Sequence, residues 1–193
     1  MRKLKVFNQV TLDGYFTDEK SDMSVFHKAN KNDAEWNAWV AQNAKGGGVL
    51  VFGRKTFDMM KSYWPTPQAL KDQPVVAERM NSAPKIVFSR TLNDPGWNNT
   101  TVVKDDIAAE VRKLKDAPGD DMVIMGSGSI IAQLASDDLI DEYQIVVYPI
   151  VLGKGRTMFD GVKKQLSLKP TNTKTFGNGN IVLFYERAES SGA

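Results

Sequence analysis

Val49-Leu-Val-Phe-Gly-Arg-Lys-Thr56 and Met122-Val-Ile-Met-Gly-Ser-Gly-Ser-Ile130 are two stretches in which an apolar run turns through glycine into a segment with helical periodicity. Each pattern predicts a buried strand followed at once by a helix. The first N–H groups of a helix have no partner within it and carry partial positive charge, so phosphate binds there readily. Glycine at the turn removes the Cβ that would keep the anion away. Two such junctions predict a long phosphorylated ligand, and the first candidate is a dinucleotide.

The composition indicates one globular domain. The chain has 193 residues, of which 41% are hydrophobic and 25% charged, as in ordinary folded domains. Lys plus Arg number 25 against 23 Asp plus Glu, and no basic block predicts a nucleic-acid partner. Asn8 and Gln9 interrupt the N-terminal apolar stretch, and no apolar run approaches the roughly 20 residues that cross a bilayer. We therefore expect a cytoplasmic protein without a membrane partner.

The rarest residue types exclude several chemistries. Without cysteine, the chain forms no disulfide, thiolate metal site or cysteine nucleophile. His27 is the single histidine, so a histidine-rich metal site cannot be assembled and a Ser-His-Asp triad would have to use it. Its polar surroundings favour an ordinary loop or surface histidine. We predict no metal site.

The periodicity predicts strands alternating with helices, followed by strands alone. A helix begins at Asn32, which with Glu35 resembles a capping box, and Asn178-Gly179 predicts a hairpin turn. The proline-rich residues 65–83 read as a long loop with at most one helical turn. Residues 1–187 form a single domain and residues 188–193 a frayed tail. The predicted strands are 4–10, 49–52, 85–89, 100–103, 122–125, 142–147, 166–175 and 180–186, and the predicted helices are 32–43, 56–63, 106–114 and 129–135.

This order argues against the common dinucleotide-binding fold. A Rossmann domain has GxGxxG directly after its first strand and an acidic residue about 20 positions later. Here the first strand ends in Thr11-Leu-Asp-Gly14, and Gly126-Ser-Gly-Ser129 comes late in the chain. The sequence still predicts phosphate binding, but it does not predict a Rossmann topology.

Five motifs, in family order, carry a resemblance to a known family. They are Thr11-Leu-Asp-Gly-Tyr15, Phe52-Gly-Arg-Lys-Thr-Phe57, Pro84-Lys-Ile-Val-Phe-Ser-Arg-Thr-Leu92, Met125-Gly-Ser-Gly-Ser129 and Pro149-Ile-Val-Leu-Gly-Lys-Gly-Arg156. Together they resemble the dihydrofolate reductase-like superfamily, in particular the branch with the C-terminal reductase domain of bacterial riboflavin biosynthesis. The resemblance covers residues 2–187. It implies an α/β, three-layer fold whose central, mostly parallel mixed sheet ends in an antiparallel C-terminal hairpin.

The resemblance also implies NADPH across the carboxyl ends of the strands, and a homodimer. The apolar residues 145–152 are long enough to cross the core and reach an interface, although an ordinary central strand explains most of them. The backbone near Gln9 to Thr11, with Phe16, would lie close to the nicotinamide. The residues implied in cofactor binding are Gly53, Arg54, Lys55 and Thr56 for the adenosine side and pyrophosphate, Ser89 and Arg90 for the ribose 2′-phosphate, and Gly126, Ser127, Gly128, Ser129 and Ile130 for the pyrophosphate and nicotinamide ribose.

The chemistry of these residues agrees with phosphate binding. The guanidinium groups of Arg54 and Arg90 can make bidentate contacts to a phosphate. Arg54 and Lys55 at a helix start oppose the helix dipole unless an anion is bound there, which favours a ligand over a solvated helix start.

Three further residues are candidates for the substrate side. In folate reductases a carboxylate on the first helix supports protonation of the substrate, and Asp33 occupies the comparable helix start. Its alternative is a first-turn acid that complements the helix dipole. Trp36 could stack on a planar substrate, but a tryptophan at this helical spacing is more often a core residue. Asp13 could bind substrate or only form an Asp-Gly turn.

The sequence therefore predicts an NADPH-dependent reductase of a pteridine-like, pyrimidine-like or other small substrate. Residues 17–23 are acidic and polar, unlike the active-site loop of a folate reductase. No lysine cluster suits the phosphate of the riboflavin intermediate. Lys154 and Arg156 could contribute, but their turn could equally be solvated. The alternative is a non-catalytic nucleotide-binding module on the same fold.

Overall fold

The computed structural model of the chain describes residues 1–29 and 33–188, with the backbone alone for residues 27–29. The strands are β1 (Leu4–Thr11), β2 (Tyr15–Thr17), β3 (Val49–Gly53), β4 (Lys85–Phe88), β5 (Thr100–Val103), β6 (Met122–Met125), β7 (Glu142–Tyr148), β8 (Arg156–Thr157), β9 (Leu168–Thr175) and β10 (Ile181–Arg187). The helices are α1 (Ser24–Ala29), α2 (Ala34–Ala44), α3 (Arg54–Tyr63), α4 (Pro67–Asp72), α5 (Pro74–Ser82), α6 (Ile107–Asp116) and α7 (Gly128–Ser136).

The central sheet has eight strands in the order β5-β4-β3-β6-β1-β7-β10-β9. The six strands from β5 to β7 are parallel, whereas β10 runs antiparallel to β7 and β9 antiparallel to β10. The predicted mixed sheet with a C-terminal hairpin is confirmed. Because the six strands are parallel, their carboxyl ends lie at one edge of the sheet, where open α/β folds bind their ligands.

Side chains of the strands alternate between two helical layers, because successive residues point to opposite faces. On β3, Val51 packs in a core with α6 and α7, while Leu50 and Phe52 pack with α3 and α5. On β7, Val146 packs with Trp36 of α2. The result is the predicted three-layer arrangement, with helices on both faces of the sheet.

The prediction of a long loop over residues 65–83 is wrong, because α4 and α5 lie there. Pro67 and Pro74 begin the two helices, at positions where the missing N–H has no intrahelical partner and the fixed φ suits the helix. The hydroxyl of Thr66 caps α4 by accepting from the N–H of Ala69 at 3.2 Å. Prolines that read as helix breakers in the sequence are thus helix starts.

The start of α2 and the C-terminal end of the fold differ from the predicted boundaries. The predicted cap Asn32 lies outside the described residues, and the structure shows Asp33 as the N-cap of α2. At the other end, the N–H of Ala188 donates to the carbonyl of Ser167 at 3.1 Å, so order extends one residue into the predicted tail. Residues 189–193 lie outside the described part.

The apolar segment 145–152 divides into two parts. Residues 145–148 lie in β7, between β1 and β10, as residues of an ordinary central strand do. After Tyr148 the chain turns away, and Val151 is 70% exposed. Leu12, whose N–H donates to the carbonyl of Ile150, is 67% exposed beside it.

Candidate active site

A cleft of about 670 Å³ lies at the carboxyl edge of the sheet, above β3 and β6. Residues 53–56 at the start of α3 and residues 126–129 at the start of α7 form one side. The other side is the β2–β8 ribbon, in which β2 pairs antiparallel with β8, together with its flanking residues. The two glycine junctions found in the sequence therefore open into the same space.

The two junctions are hydrogen-bonded to each other. β3 and β6 are neighbours in parallel register, with Val51 beside Ile124, so the glycines that follow them emerge side by side. The N–H of Gly53 donates to the Ser127 hydroxyl at 2.8 Å, and the N–H of Ser127 donates to the Thr56 hydroxyl at 3.1 Å. This crosslink fixes the starts of α3 and α7 relative to one another.

Neither helix that begins at the cleft has a side-chain cap. Asp33, Thr66 and Asp106 accept hydrogen bonds from the first turns of α2, α4 and α6, whereas Gly53 and Ser127 provide no such acceptor to α3 and α7. The starts of α3 and α7 therefore have no side-chain cap, and residues 54–56 and 128–129 of these starts line the cleft. Two adjacent helix starts of this kind are suited to bind an anion.

Glycine is required at Gly126 and Gly128 by close neighbours. Gly126 has φ +60°, and a Cβ there would lie 2.7 Å from Cγ2 of Thr56. A Cβ on Gly128 would lie 2.9 Å from Cζ of Phe16, because the Phe16 ring of the ribbon packs on the start of α7. Phe16 is thus the aromatic wall of the cleft, next to the free helix start.

Cations dominate the charge of the cleft. Arg54, Lys55 and Arg156 line it, and Asp160 is the acidic group among its lining residues. Nε of Arg54 donates to Asp58 at 2.6 Å, which leaves the remaining guanidinium N–H groups to a ligand. Positive charge at a helix start is unfavourable by itself, so an anion bound at the start of α3 would stabilise Arg54 and Lys55.

Ser89 and Arg90 lie one strand away from the cleft. The last residue of β4, Phe88, is beside Gly53 in register, so Ser89 leaves the sheet next to Arg54. The Ser89 hydroxyl accepts from the N–H of Leu92 at 3.2 Å and shapes the turn that carries the exposed Arg90. Neither residue lines the cleft, although an extended ligand leaving it over β4 would meet them.

Ile130 lies in the core, whereas the resemblance implies that it contacts the cofactor. Its N–H donates to the carbonyl of Ser127 at 2.9 Å, and its side chain is buried against Gly53. It supports the junction from within the core, whereas Gly128 and Ser129 line the cleft.

The carboxylate of Asp13 joins two loops. It accepts from the hydroxyl of Thr11 at 2.6 Å and from the N–H of Gly153 at 2.7 Å, and the N–H of Leu152 is 3.1 Å away. These donors, Thr11 first, hold the pKa of Asp13 below its ordinary value. The geometry gives Asp13 a role in anchoring the loop after β7, and its substrate role stays a prediction.

Trp36 and Asp33 lie at the first turn of α2, outside the lining of the cleft. Trp36 is 4% exposed and packs edge-on against Tyr148 and Phe176, so it is a core residue and not a wall of the cleft. Oδ1 of Asp33 accepts from the N–H of Trp36 at 2.7 Å. The function of Asp33 as a proton source stays a prediction.

Most cleft-lining residues that the sequence did not predict belong to the β2–β8 ribbon and its flanking residues. Ser21, Met23, Thr157 and Asp160 line the cleft opposite the two junctions, and Met59 of α3 joins them. The strands of the ribbon have three and two residues, too few for a period-two pattern. Their partnership depends on the loop after β7, which only the fold brings near β2.

The described residues contain neither a cluster suited to a metal ion nor a helix that could cross a membrane. In residues 1–29 and 33–188, no group of three or more His, Asp or Glu side chains could hold a metal ion. No helix of the same residues is long and apolar enough to span a membrane.

Solved structures similar to this chain define its class. A protein of Shewanella sp. PV-4 attributed to riboflavin biosynthesis is 25% identical, with a TM-score of 0.71 over 97% of this chain and 99% of its own. The diaminohydroxyphosphoribosylaminopyrimidine deaminase/5-amino-6-(5-phosphoribosylamino)uracil reductase of Thermotoga maritima is 17% identical, with a TM-score of 0.66 over 97% of this chain and 57% of its own. Dihydrofolate reductase of Enterococcus faecalis, complexed with NADP(H), is 15% identical, with a TM-score of 0.64 over 97% of both chains. The fold is dihydrofolate reductase-like.

The family follows from the sequence. The RibD C-terminal domain family matches residues 2–182, and the chain belongs to this family. The uncharacterized protein YyaP of Bacillus subtilis (strain 168) is 35% identical over 137 residues, which are 71% of this chain and 72% of YyaP. Fold and family together are those of reductase domains of the dihydrofolate reductase-like kind.

Proposed function

We propose that the protein is an NADPH-dependent reductase that transfers hydride to a small heterocycle of the pteridine or pyrimidine kind. The observation that carries the proposal is the pair of adjacent helix starts without side-chain caps, joined through Gly53 and Ser127. A single uncapped helix start is common, whereas two that are crosslinked and face one cleft suit the two phosphates of a dinucleotide.

The residues of the cleft fit NADPH. The pyrophosphate is proposed to bind the first N–H groups of α3 and α7, next to Gly126, where a Cβ would clash. Arg54 is proposed to bind the 2′-phosphate with the N–H groups that Asp58 does not use, and Arg90 to approach it from β4. Phe16, which packs on Gly128, is proposed to lie beside the nicotinamide.

NADPH, when bound, supplies the hydride, and the protein must place the substrate and provide a proton. Asp33 is the proposed proton source, by resemblance to folate reductases. Because Asp33 does not line the cleft, this role requires a substrate that extends from the cleft to the start of α2. Glu35 is the other acid of this turn, but its Oε2 lies 3.4 Å from the N–H of Gly177 at the β9–β10 turn. That contact directs Glu35 away from Asp33, in keeping with the rotation of about 200° that separates residues i and i+2 of a helix.

The chemistry of the residues that line the cleft supports this substrate class. Phe16 and Met23 offer apolar contacts for a planar ring, while Thr157, Arg156 and Asp160 offer polar ones. The Thermotoga maritima relative is named for a uracil reductase activity, and heterocycles of that kind match a small, partly polar space.

We also propose a homodimer, whose interface includes the exposed side chains of Val151 and Leu12. The N–H of Leu12 donates to the carbonyl of Ile150, the residue before Val151. Burial of these two exposed apolar side chains against a second copy of the chain would be favourable. The loop that carries Val151 is held by Asp13, so the pair is presented on an ordered surface.

The proposal is tested by binding and turnover in the same preparation. We expect NADPH to quench the tryptophan fluorescence with a lower Kd than NADH, and a panel of dihydropteridines, aminouracils and related heterocycles to include one that oxidises NADPH. Equal affinity for NADPH and NADH would contradict the cofactor assignment. Tight NADPH binding with no turnover across the panel would instead support a non-catalytic nucleotide-binding module.

A further inference from the structure

Asn8 is a buried polar residue of β1 that the proposed chemistry does not use. Its side chain is on the same strand face as Val6 and is 3% exposed. Oδ1 of Asn8 accepts from the N–H of Gly126 at 2.8 Å, and Nδ2 donates to the carbonyl of the same residue at 3.2 Å. Nδ2 also lies 3.0 Å from Sδ of Met158. A single amide therefore binds both polar groups of one backbone residue.

The Asn8 amide takes the place of the backbone hydrogen bonds that would continue the pairing of β1 with β6. The two strands are paired up to Phe7 beside Met125, and then Gly126 turns away with φ +60°. A buried N–H and carbonyl that leave a sheet need new partners, since each costs about 1–3 kcal/mol when unsatisfied. The Asn8 amide presents one acceptor and one donor in the geometry that Gly126 needs.

We infer that Asn8 is a positioning residue for the phosphate-binding start of α7, an inference that rests on the proposed function. By fixing both polar groups of Gly126, Asn8 holds the turn that leads into Ser127. Ser127 then has φ 58° and lies where its N–H reaches Thr56 and its hydroxyl reaches Gly53. The two helix starts are thereby aligned before any ligand binds.

The third contact of Asn8, with Met158, links it to the end of the β2–β8 ribbon. Met158 directly follows β8 and is 3% exposed. Its carbonyl lies 3.4 Å from the position that a Cβ of Gly128 would occupy. Asn8 thus contacts both Gly126, at the helix starts, and Met158, which follows the ribbon and packs next to Gly128.

A purely structural amide would only stabilise the sheet, so the test separates stability from cofactor affinity. Asn8→Leu removes both hydrogen bonds at similar volume. Val6→Ala is the matched control, because Val6 is buried on the same face of the same strand but does not contact Gly126. We expect Asn8→Leu to weaken NADP⁺ binding at least tenfold at pH 8, and Val6→Ala to change it by less than twofold, whatever each does to the unfolding midpoint.

Asn8→Asp provides a variant of nearly identical shape. An ionised carboxylate has no donor for the Gly126 carbonyl, whereas a protonated carboxyl has one, and burial raises the pKa of such a group. At pH 8 we expect the Kd of Asn8→Asp for NADP⁺ to be about tenfold that of the parent. At pH 5.5 we expect this ratio of the two Kd values to be at least threefold smaller. The parent and Asn8→Asp share the charged residues of the cleft and use the same probe, so the comparison at each pH isolates the change at position 8. The charged residues are Arg54, Lys55, Arg156 and Asp160.

Amide hydrogen exchange gives a readout without cofactor. Loss of positioning should speed the exchange of the Ser127 and Gly53 N–H groups in Asn8→Leu more than in Val6→Ala. NADP⁺ affinity and exchange that both match the parent would overturn the inference while leaving the proposed function intact. A parent that binds no NADP⁺ would overturn the proposed function and, with it, the role of Asn8 in cofactor binding.

Discussion

The backbone N–H of Gly53 and the hydroxyl of Ser127 are joined by a 2.8 Å hydrogen bond across 74 residues of sequence. Ser127 makes this bond from a left-handed backbone conformation, with φ 58° and ψ 48°. A residue other than glycine is strained there by roughly 1–2 kcal/mol. The strain is offset because the same hydroxyl accepts from Gly53 and donates to the carbonyl of Met125 at 3.1 Å.

Substitutions of Ser127 should separate strain from positioning. Ser127→Ala keeps the strain and loses both hydrogen bonds, so we expect it to lower the free energy of unfolding by about 1–3 kcal/mol. Ser127→Gly loses the same bonds but relieves the strain, and should be more stable than Ser127→Ala by about 1 kcal/mol. Urea unfolding measures both values. Equal stability of the two variants would mean that the left-handed conformation carries no cost here.

Arg54 should decide between NADPH and NADH. Losing a charge-assisted contact to the 2′-phosphate costs about 1.5–3 kcal/mol, or roughly ten- to hundredfold in affinity. We therefore expect Arg54→Ala to weaken NADPH binding by that factor and to leave NADH binding within about threefold. Asp58→Asn is the control, because it removes the negative charge that pairs with Arg54 at 2.6 Å while the guanidinium remains. If Arg54→Ala affected both cofactors alike, the 2′-phosphate would have to bind elsewhere, with Arg90 as the next variant.

The sequence specified the two strand-to-helix junctions, because buried parallel strands are apolar throughout and glycine marks their ends. It also specified the hairpin at Asn178-Gly179. It could not specify α4 and α5, since proline at the first position of a helix and proline in a loop look alike in a single sequence. The spacing of Trp36 predicted a buried face, but the choice between core and cleft depended on Tyr148 and Phe176, which are distant in sequence.

The polar supports of the site were the least predictable part. In the sequence, Asn8 is recognisable only as a polar residue that interrupts an apolar stretch. Its function becomes visible when β1 lies beside β6, because only then does its amide meet Gly126. Asp33 illustrates the same limit, since a helix cap and a proton donor both require a carboxylate at a helix start.

The anchoring carboxylate of Asp13 should make stability depend on acid pH. Its pKa is held below the unfolded value by Thr11, Gly153 and Leu152, so its contribution is present above the unfolded pKa of about 3.9. That contribution is lost as the pH falls through the lower folded value. We expect the stability difference between the parent and Asp13→Asn to be constant from pH 5 to 7 and to shrink at more acidic pH. Urea unfolding across this range measures it, with the exposed Asp105→Asn as control; a difference that does not depend on pH would contradict the assignment.

The proposed homodimer should depend on Val151. A charged side chain at the centre of an apolar contact would have to be buried without a partner, which is costly. We expect Val151→Lys to convert the dimer into a monomer at micromolar concentration, as measured by light scattering. Leu70→Lys is the control, because Leu70 of α4 is 49% exposed on another part of the surface. A parent protein with monomeric mass would rule the dimer out.

Asp33→Asn is the sharpest test of the proton source, because asparagine caps a helix about as well as aspartate. The acceptor for the Trp36 N–H, now 2.7 Å from Oδ1, is thereby kept, so stability should stay within a few tenths of a kcal/mol. NADPH affinity should change by less than about twofold, since the cofactor is proposed to bind other residues. Turnover of an accepted substrate should fall by roughly 10²–10⁴, the usual contribution of one positioned acid–base group.

Glu35→Gln is the matched control for Asp33→Asn, because Glu35 lies in the same helical turn and its carboxylate is next to Gly177. We expect its turnover to match that of the parent. Unchanged turnover in Asp33→Asn would assign the carboxylate to capping alone and leave water or the cofactor's surroundings as the proton source. A collapse with Glu35→Gln instead would mean that the opposite face of α2 meets the substrate, which would require the contact with Gly177 to open. The two variants, measured in one preparation with stopped-flow NADPH oxidation, therefore identify which side of the helix supplies the proton.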